Sequence, residues 1–213
     1  MQAMGPGRGY CAQGGFLTVR YVPIGACNLL AAARKKAASG QKVVALITDI
    51  GNDIMYEVAA EEIISCLDRM IQELTAMGAE VFLNPIPLAI EEDVSEFQFR
   101  LLKTIFYPRS KIKYSQAADA VRRINRFLQK RAGGRVHLLP SVKNFCGADK
   151  IHYSLFKSHH AWTGMIDEML RVLPGRSSGA VGLFSMWKAL FANMGRLCFC
   201  DMIPVRDKIP GTF

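Results

Sequence analysis

The sequence lacks several features that would place a chain in a familiar class at once. No uncharged stretch reaches the roughly 20 apolar residues that a membrane-spanning helix needs. The six cysteines include no C-x-x-C pair, so a reduced, cytoplasmic chain is the simplest interpretation. No nucleic-acid-binding motif accompanies the basic residues. We therefore predict a protein without a transmembrane segment, a metal, a cofactor or a nucleic-acid partner.

Acidic residues are scarce between positions 100 and 135. This basic region holds eleven lysines and arginines and a single acid, Asp119, within a chain of net charge +9. A run of like charge is usually a solvated helix face. A basic surface also suits an anionic partner, and both interpretations stay open.

The apolar residues that are present follow an alternating pattern of strands and helices. With 213 residues, half of them hydrophobic, the chain is long enough for one ordinary domain. The predicted elements are strands at 43–47, 80–83 and 135–139, and helices at 26–39, 57–77, 94–106, 116–131, 158–173 and about 186–194. Strands that alternate with helices pair in parallel through right-handed crossovers. We therefore predict an α/β fold, a three-layer sandwich with a parallel sheet.

The segment from Val43 to Tyr56 is the central candidate for a site. Five apolar residues, Val43 to Ile47, predict a strand that is buried on both faces. Gly51, Asn52 and Asp53 follow as a polar turn before a helix. Open α/β sheets bind ligands at the carboxyl ends of their strands, so Asn52 is a candidate functional residue, while Asp53 is expected to shape the turn.

Two further segments supply candidate groups. Asp149 and His152 form a D-x-x-H unit after the third strand, in which a carboxylate can fix the tautomer of an imidazole. Taken alone, this unit is common, and a structural histidine is the better explanation of it. The glycine-rich run from Gly5 to Gly9 predicts a loop whose amides can approach a ligand closely, or else a frayed terminus.

Taken together, these blocks resemble the SGNH (GDSL-like) hydrolases. The match rests on Thr48-Asp49-Ile50-Gly51-Asn52-Asp53 and on Asp149-x-x-His152, about one hundred residues downstream. The resemblance implies a flavodoxin-like sheet and a serine esterase that acts on a small-molecule ester. It implies that Asn52 holds the oxyanion, that His152 is the general base and that Asp149 orients it. Gly7 or Gly9 would supply a second oxyanion donor, with Gly51 at the binding site.

The family's first block is missing from the sequence. No Gly-Asp-Ser precedes Gly51, so the first strand and its nucleophile are expected to be absent from this chain. Two explanations stay open, a chain truncated at its start and a degenerate relative without hydrolase activity. In the second case the chain is a non-catalytic binding module whose basic region takes an anionic partner. We predict a hydrolase-like domain over 1–173 and a basic extension over 174–213.

Two rival motifs are weaker. Gly175 to Gly179 fits the G-x-S-x-G nucleophile elbow, but a helix precedes it and no histidine follows Ser177. Cys146, Asp149 and His152 are suitable metal ligands, although their spacing by three is also what a loop leading into D-x-x-H would show.

Overall fold

A computed structural model describes residues 7–15, 19–147, 152–154, 156–173 and 181–202. The chain divides into two compact units, and the boundary falls between Leu138 and Leu139. The predicted domains, 1–173 and 174–213, stay a prediction.

The first unit is built on a parallel sheet of three strands, β1 (Val44–Ile47), β2 (Glu80–Leu83) and β3 (Val136–Leu138). The order is β1-β2-β3, and both pairings are parallel. Ile47 lies opposite Leu83, and Leu83 lies opposite Leu138, so the three strands end at one edge. The predicted α/β class with a parallel sheet is confirmed.

Six helices accompany this sheet, and the longest two are amphipathic. Their bounds are α1 (Leu29–Ala38), α2 (Asn52–Met55), α3 (Ala60–Ala76), α4 (Ile90–Asp93), α5 (Glu96–Phe106) and α6 (Tyr114–Arg131). The buried residues of α3 recur at helical spacing, from Ile63 through Leu67 and Met70 to Leu74. Those of α6 do the same, from Ala117 to Leu128. The two helices contact each other, α3 also contacts β2, and α6 contacts β3. They therefore form one core with the sheet face that carries Ile47, Val81, Leu83 and Val136.

Two local predictions are wrong for identifiable reasons. β1 was expected to be buried on both faces, but Val44 is 41 % exposed. Among the described residues β1 is an edge strand, because only β2 pairs with it. The helix predicted to start at Glu57 starts at Ala60 instead, since Glu57 has a left-handed φ of 64° that separates α3 from the short α2.

The second unit is helical in its described part. A 3-10 turn at Lys143–Phe145 precedes an antiparallel bridge between Cys146 and Tyr153. Helix α7 (Ser158–Val172) contacts this turn and also α8 (Leu183–Arg196), which a π-type segment continues to Met202. No helix in the described part of the chain combines the length and the apolar character needed to cross a membrane.

Candidate functional site

The carboxyl ends of β1 and β2 meet in a polar turn. After Ile47 the chain reverses through Asp49, which has a left-handed φ of 57°, and enters α2 at Asn52. Asn84 follows β2 directly, and its side-chain amide donates to the hydroxyl of Thr48 at 3.1 Å. The turn is therefore fixed to the neighbouring strand, as the parallel arrangement predicts.

Residues 7–15, which we call the glycine-rich loop, are held against this turn by Asp53. The Asp53 carboxylate is fully buried and accepts three backbone N–H groups. The amide of Tyr10 donates to Oδ2 at 2.6 Å, and those of Cys11 and Ala12 donate to Oδ1 at 3.1 and 2.8 Å. A buried carboxylate is tolerated only when it is bonded in this way. Asp53 therefore joins a distant loop to α2, a role that the sequence did not indicate.

Two glycines of the loop are required by this packing. A Cβ atom on Gly9 would lie 2.4 Å from Asp53 Oδ1, and one on Gly7 would lie 2.8 Å from the Gly15 carbonyl. Gly7 also has a left-handed φ of 69°. Gly51, in contrast, has a helical φ of −69° and open space around its Cα, so its conformation does not require glycine. Gly7 and Gly9 are thus positioned beside α2, and this part of the terminus is not frayed.

Three tyrosines connect the loop, the turn and α5. Tyr56 donates to the Gly7 carbonyl at 2.5 Å and accepts from the Gly15 amide at 3.1 Å. The Tyr10 hydroxyl donates to the Thr48 carbonyl at 2.7 Å, and Tyr107 stacks edge-on against Tyr56. Burial raises the pKa of all three phenols, most strongly those of Tyr10 and Tyr107, and the nearby Asp49 acts in the same direction on these two. The three hydroxyls stay protonated and bonded at neutral pH.

Asn52 occupies the centre of this arrangement. Its Nδ2 donates to the Arg8 carbonyl at 3.1 Å, and its Oδ1 accepts from the Tyr107 hydroxyl at 2.9 Å. Two contacts from two different segments fix the orientation of the side-chain amide. A primary amide has two N–H donors, so one remains for a ligand after the contact with Arg8.

The structure brings four of the six predicted site residues together. Asn52, Gly51, Gly7 and Gly9 lie in the first unit around the end of β1. His152 belongs to the second unit, where its carbonyl accepts from the Gly147 amide at 2.7 Å and its side chain is exposed. Asp149 lies outside the described residues. Within the described residues no group of three or more His, Cys, Asp or Glu side chains could hold a metal ion.

Sequence reasoning missed the tyrosines and the role of Asp53. Tyr56 lies four residues after Asn52, so a helical turn there places both on one side, and this signal was available. Tyr10 and Tyr107 reach the turn from 38 and 55 residues away. No local pattern in the sequence indicates contacts of that range.

Comparison with known proteins adds no relative: no family model, no curated protein and no solved structure matches this chain.

Proposed function

We propose that this chain has the scaffold of an SGNH-type ester hydrolase and provides its oxyanion-binding side. One observation carries the proposal. The side-chain amide of Asn52 is fixed by Arg8 and Tyr107 at the carboxyl end of a parallel strand, beside a glycine-rich loop. Acyl transfer develops negative charge on an oxygen, and donors that are already oriented stabilise that charge most.

The order of the strands supports the proposal. A flavodoxin-like sheet has the strand order 2-1-3-4-5, so its last three strands are consecutive neighbours. β1, β2 and β3 have this arrangement. In the described sheet the edge of β1 away from β2 has no strand partner, and this is the edge at which the flavodoxin-like order places the first strand.

Within this proposal the remaining N–H of Asn52 is the first oxyanion donor. The amides of Tyr10, Cys11 and Ala12 are already committed to Asp53, so we assign the second donor to Gly7 or Gly9. His152 serves as the general base, and Asp149 orients it. The nucleophile stays unassigned, because no Gly-Asp-Ser precedes Gly51.

Hydrolysis of p-nitrophenyl acetate by the full chain tests the proposal. Turnover by the chain that falls about 100-fold or more in His152→Ala supports the proposal, since a general base contributes roughly 10²–10⁴-fold. Asn52→Ala should lose about 10²–10³-fold, the usual loss for one oxyanion donor. His160→Ala removes another exposed histidine of the same unit and is the matched control. Turnover that survives His152→Ala contradicts the assignment.

The competing proposal is a non-catalytic module that binds an anionic partner through the basic region, and absence of turnover would favour it. The structure shows how much of that charge is already engaged. Five arginines of the region form ion pairs within the chain: Arg100 with Glu96, Arg122 with Glu91, Arg123 with Glu61, Arg131 with Asp68 and Arg135 with Glu80. We give this proposal second place for that reason.

A cytoplasmic location is also proposed, on the grounds that Cys11, Cys27, Cys66, Cys146 and Cys198 are free thiols.

A further inference from the structure

A second site lies on the other side of the glycine-rich loop, against α3. A pocket of about 300 Å³ opens there between the loop, the segment around Gly25 and one face of α3. Its lining includes two thiols, those of Cys11 and Cys66, and the charged side chains of Glu62 and Arg69. This site shares the loop with the proposed oxyanion site but uses none of its groups.

The two cysteines come from distant parts of the sequence and meet in the pocket. Cys11 is fixed through its amide, which donates to Asp53 at 3.1 Å, and its thiol lies 3.9 Å from the Glu62 carbonyl. Cys66 lies inside α3, and its Sγ is 3.5 Å from the Tyr10 carbonyl. Both cysteines line the pocket, and each thiol affects the pKa of the other. Neither cysteine is in a disulfide.

The surroundings of Cys66 favour its thiolate form. The neighbouring Cys11 thiol and the guanidinium of Arg69, three residues further along α3, lower the pKa of Cys66 to about 7. The neighbouring Cys66 thiol, together with burial, raises the pKa of Cys11. At neutral pH the pair therefore holds one proton on Cys11 and a large fraction of thiolate on Cys66. A thiolate whose pKa is near the ambient pH is the best attacking group in thiol–disulfide exchange.

The pocket is the route by which a reagent can reach the Cys66 thiolate. Cys66 is only 9 % exposed and belongs to the hydrophobic core, but it also lines the pocket. Gly25 forms the opposite wall, where a Cβ atom would lie 3.2 Å from Cys66 Sγ and 3.7 Å from the Arg69 guanidinium. A glycine at this position leaves the sulfur uncovered.

We propose that Cys66 and Cys11 form a thiol–disulfide exchange site that takes a small anionic disulfide of the glutathione class. The Cys66 thiolate attacks one sulfur of the disulfide R–S–S–R, forms Cys66–S–S–R and releases R–S⁻. Cys11 then loses its proton to solvent and attacks Cys66 Sγ. This step forms the Cys11–Cys66 disulfide and releases the second R–S⁻. The two cysteines lose two electrons, and the small disulfide gains them. Arg69 attracts the carboxylates of such a reagent.

Peptide mapping of the native wild-type chain tests the proposal without a variant. The reduced protein is incubated with oxidised glutathione near neutral pH, quenched with acid, digested after Lys and Arg and analysed by mass spectrometry. Digestion separates Cys11, in residues 9–20, from Cys66, in residues 43–69, and Cys27, in residues 21–34. We expect a linked pair of the first two peptides, while the peptide of Cys27 stays reduced. Glutathione spread evenly over the cysteines, or a different linked pair, would overturn the proposal.

Two variants separate the roles of the thiols. Cys11→Ser should stop the reaction at the mixed disulfide, so that glutathione accumulates on Cys66. Cys66→Ser should leave Cys11 unmodified, and Cys27→Ser serves as the matched control that still forms the disulfide.

A second experiment measures the rate of alkylation of Cys66 by iodoacetamide as a function of pH. The half-maximal rate should lie near pH 7 in the wild type and at higher pH in both Cys11→Ala, which removes the side-chain donor, and Arg69→Gln. An unchanged profile in both variants contradicts the proposed arrangement, even if one of them is less stable.

Discussion

At the scale of single residues, Asp53 contributes most to the candidate site. Its carboxylate is fully buried and accepts three backbone N–H groups from residues that lie more than 40 positions earlier. Hydrogen bonds to a charged acceptor each contribute about 1.5–3 kcal/mol, and an unpaired buried group costs a similar amount. The position of the glycine-rich loop therefore depends on one side chain.

Replacing Asp53 by Asn should destabilise the first unit by about 3 kcal/mol. The Asn oxygen can keep the two amides that Asp53 Oδ1 accepts, but its NH₂ group then faces the Tyr10 N–H. Denaturant unfolding measures the loss, and hydrogen exchange should show faster exchange at the amides of residues 10–12.

Asp119→Asn is the matched control, because Asp119 is a half-exposed carboxylate whose ion pairs with Arg122 and Arg123 lie at the surface. It should change stability by less than about 1 kcal/mol. If both variants lose the same free energy of unfolding, Asp53 contributes no more than an exposed carboxylate, and the role assigned to it is wrong.

At the scale of elements, helix α5 has one buried face and one face that is exposed to solvent. Ser95 caps it in a capping box with Gln98, so its start is well defined. One face carries Phe99, which is 7 % exposed and packs edge-on against Tyr114 with ring centroids 5.6 Å apart. The other face carries Phe97, Leu101 and Ile105, which are at least half exposed.

The two phenylalanines of α5 should therefore respond very differently to truncation. Phe99→Ala leaves a cavity in the core and should cost about 3–5 kcal/mol of unfolding free energy. Phe97→Ala removes a side chain that is 75 % exposed and should stay within about 0.5 kcal/mol. Thermal or denaturant unfolding of both variants measures the difference. Equal losses would show that the exposed face of α5 is covered in solution.

The long elements could be predicted from the sequence because their signals are local. The apolar period of α3 and α6, and the apolar runs of β1 to β3, lie within single segments. The pattern did not show that Glu57 has a left-handed φ, so that α3 begins only at Ala60. Nor did it show that Val44 is exposed, because the position of a strand within a sheet depends on its neighbours.

Only the part of the candidate site that is formed by residues close together in the sequence could be predicted. Asn52 at the end of β1 follows from strand, turn and helix in sequence. The contacts that orient it come from Arg8 and Tyr107, and the Cys11–Cys66 pair joins residues 55 positions apart. Such contacts are decided by the packing of the whole unit.

At the scale of the whole molecule, the excess of positive charge is partly balanced between elements. Arg123 and Arg131 of α6 pair with Glu61 and Asp68 of α3, along the contact between these two helices. These pairs are substantially exposed, so each contributes little to stability. Their larger effects are on the register between the two helices and on the amount of positive charge that is left for a partner.

Three tyrosines that are buried or partly buried should make the stability of the folded chain depend on pH in the alkaline range. In the unfolded chain a tyrosine loses its proton near pH 10. In the folded chain burial raises the pKa of Tyr10, Tyr56 and Tyr107. Above about pH 10 the folded state therefore binds more protons than the unfolded state. The stabilisation is fully present below that pH and declines as the pH rises further.

Stability should consequently fall above about pH 10, with a slope of at most about 1.4 kcal/mol per pH unit for each of the three groups. Urea unfolding at a series of alkaline pH values measures the slope, and phenolate absorbance shows how many tyrosines ionise before unfolding. Tyr107→Phe should reduce the slope, because it removes one of the buried phenols that keep their protons, although it also loses the hydrogen bond to Asn52. If all six tyrosines of the native chain ionise near pH 10 while it stays folded, the hydroxyls around Asn52 are exposed to solvent. The arrangement that orients the Asn52 amide would then have to be abandoned.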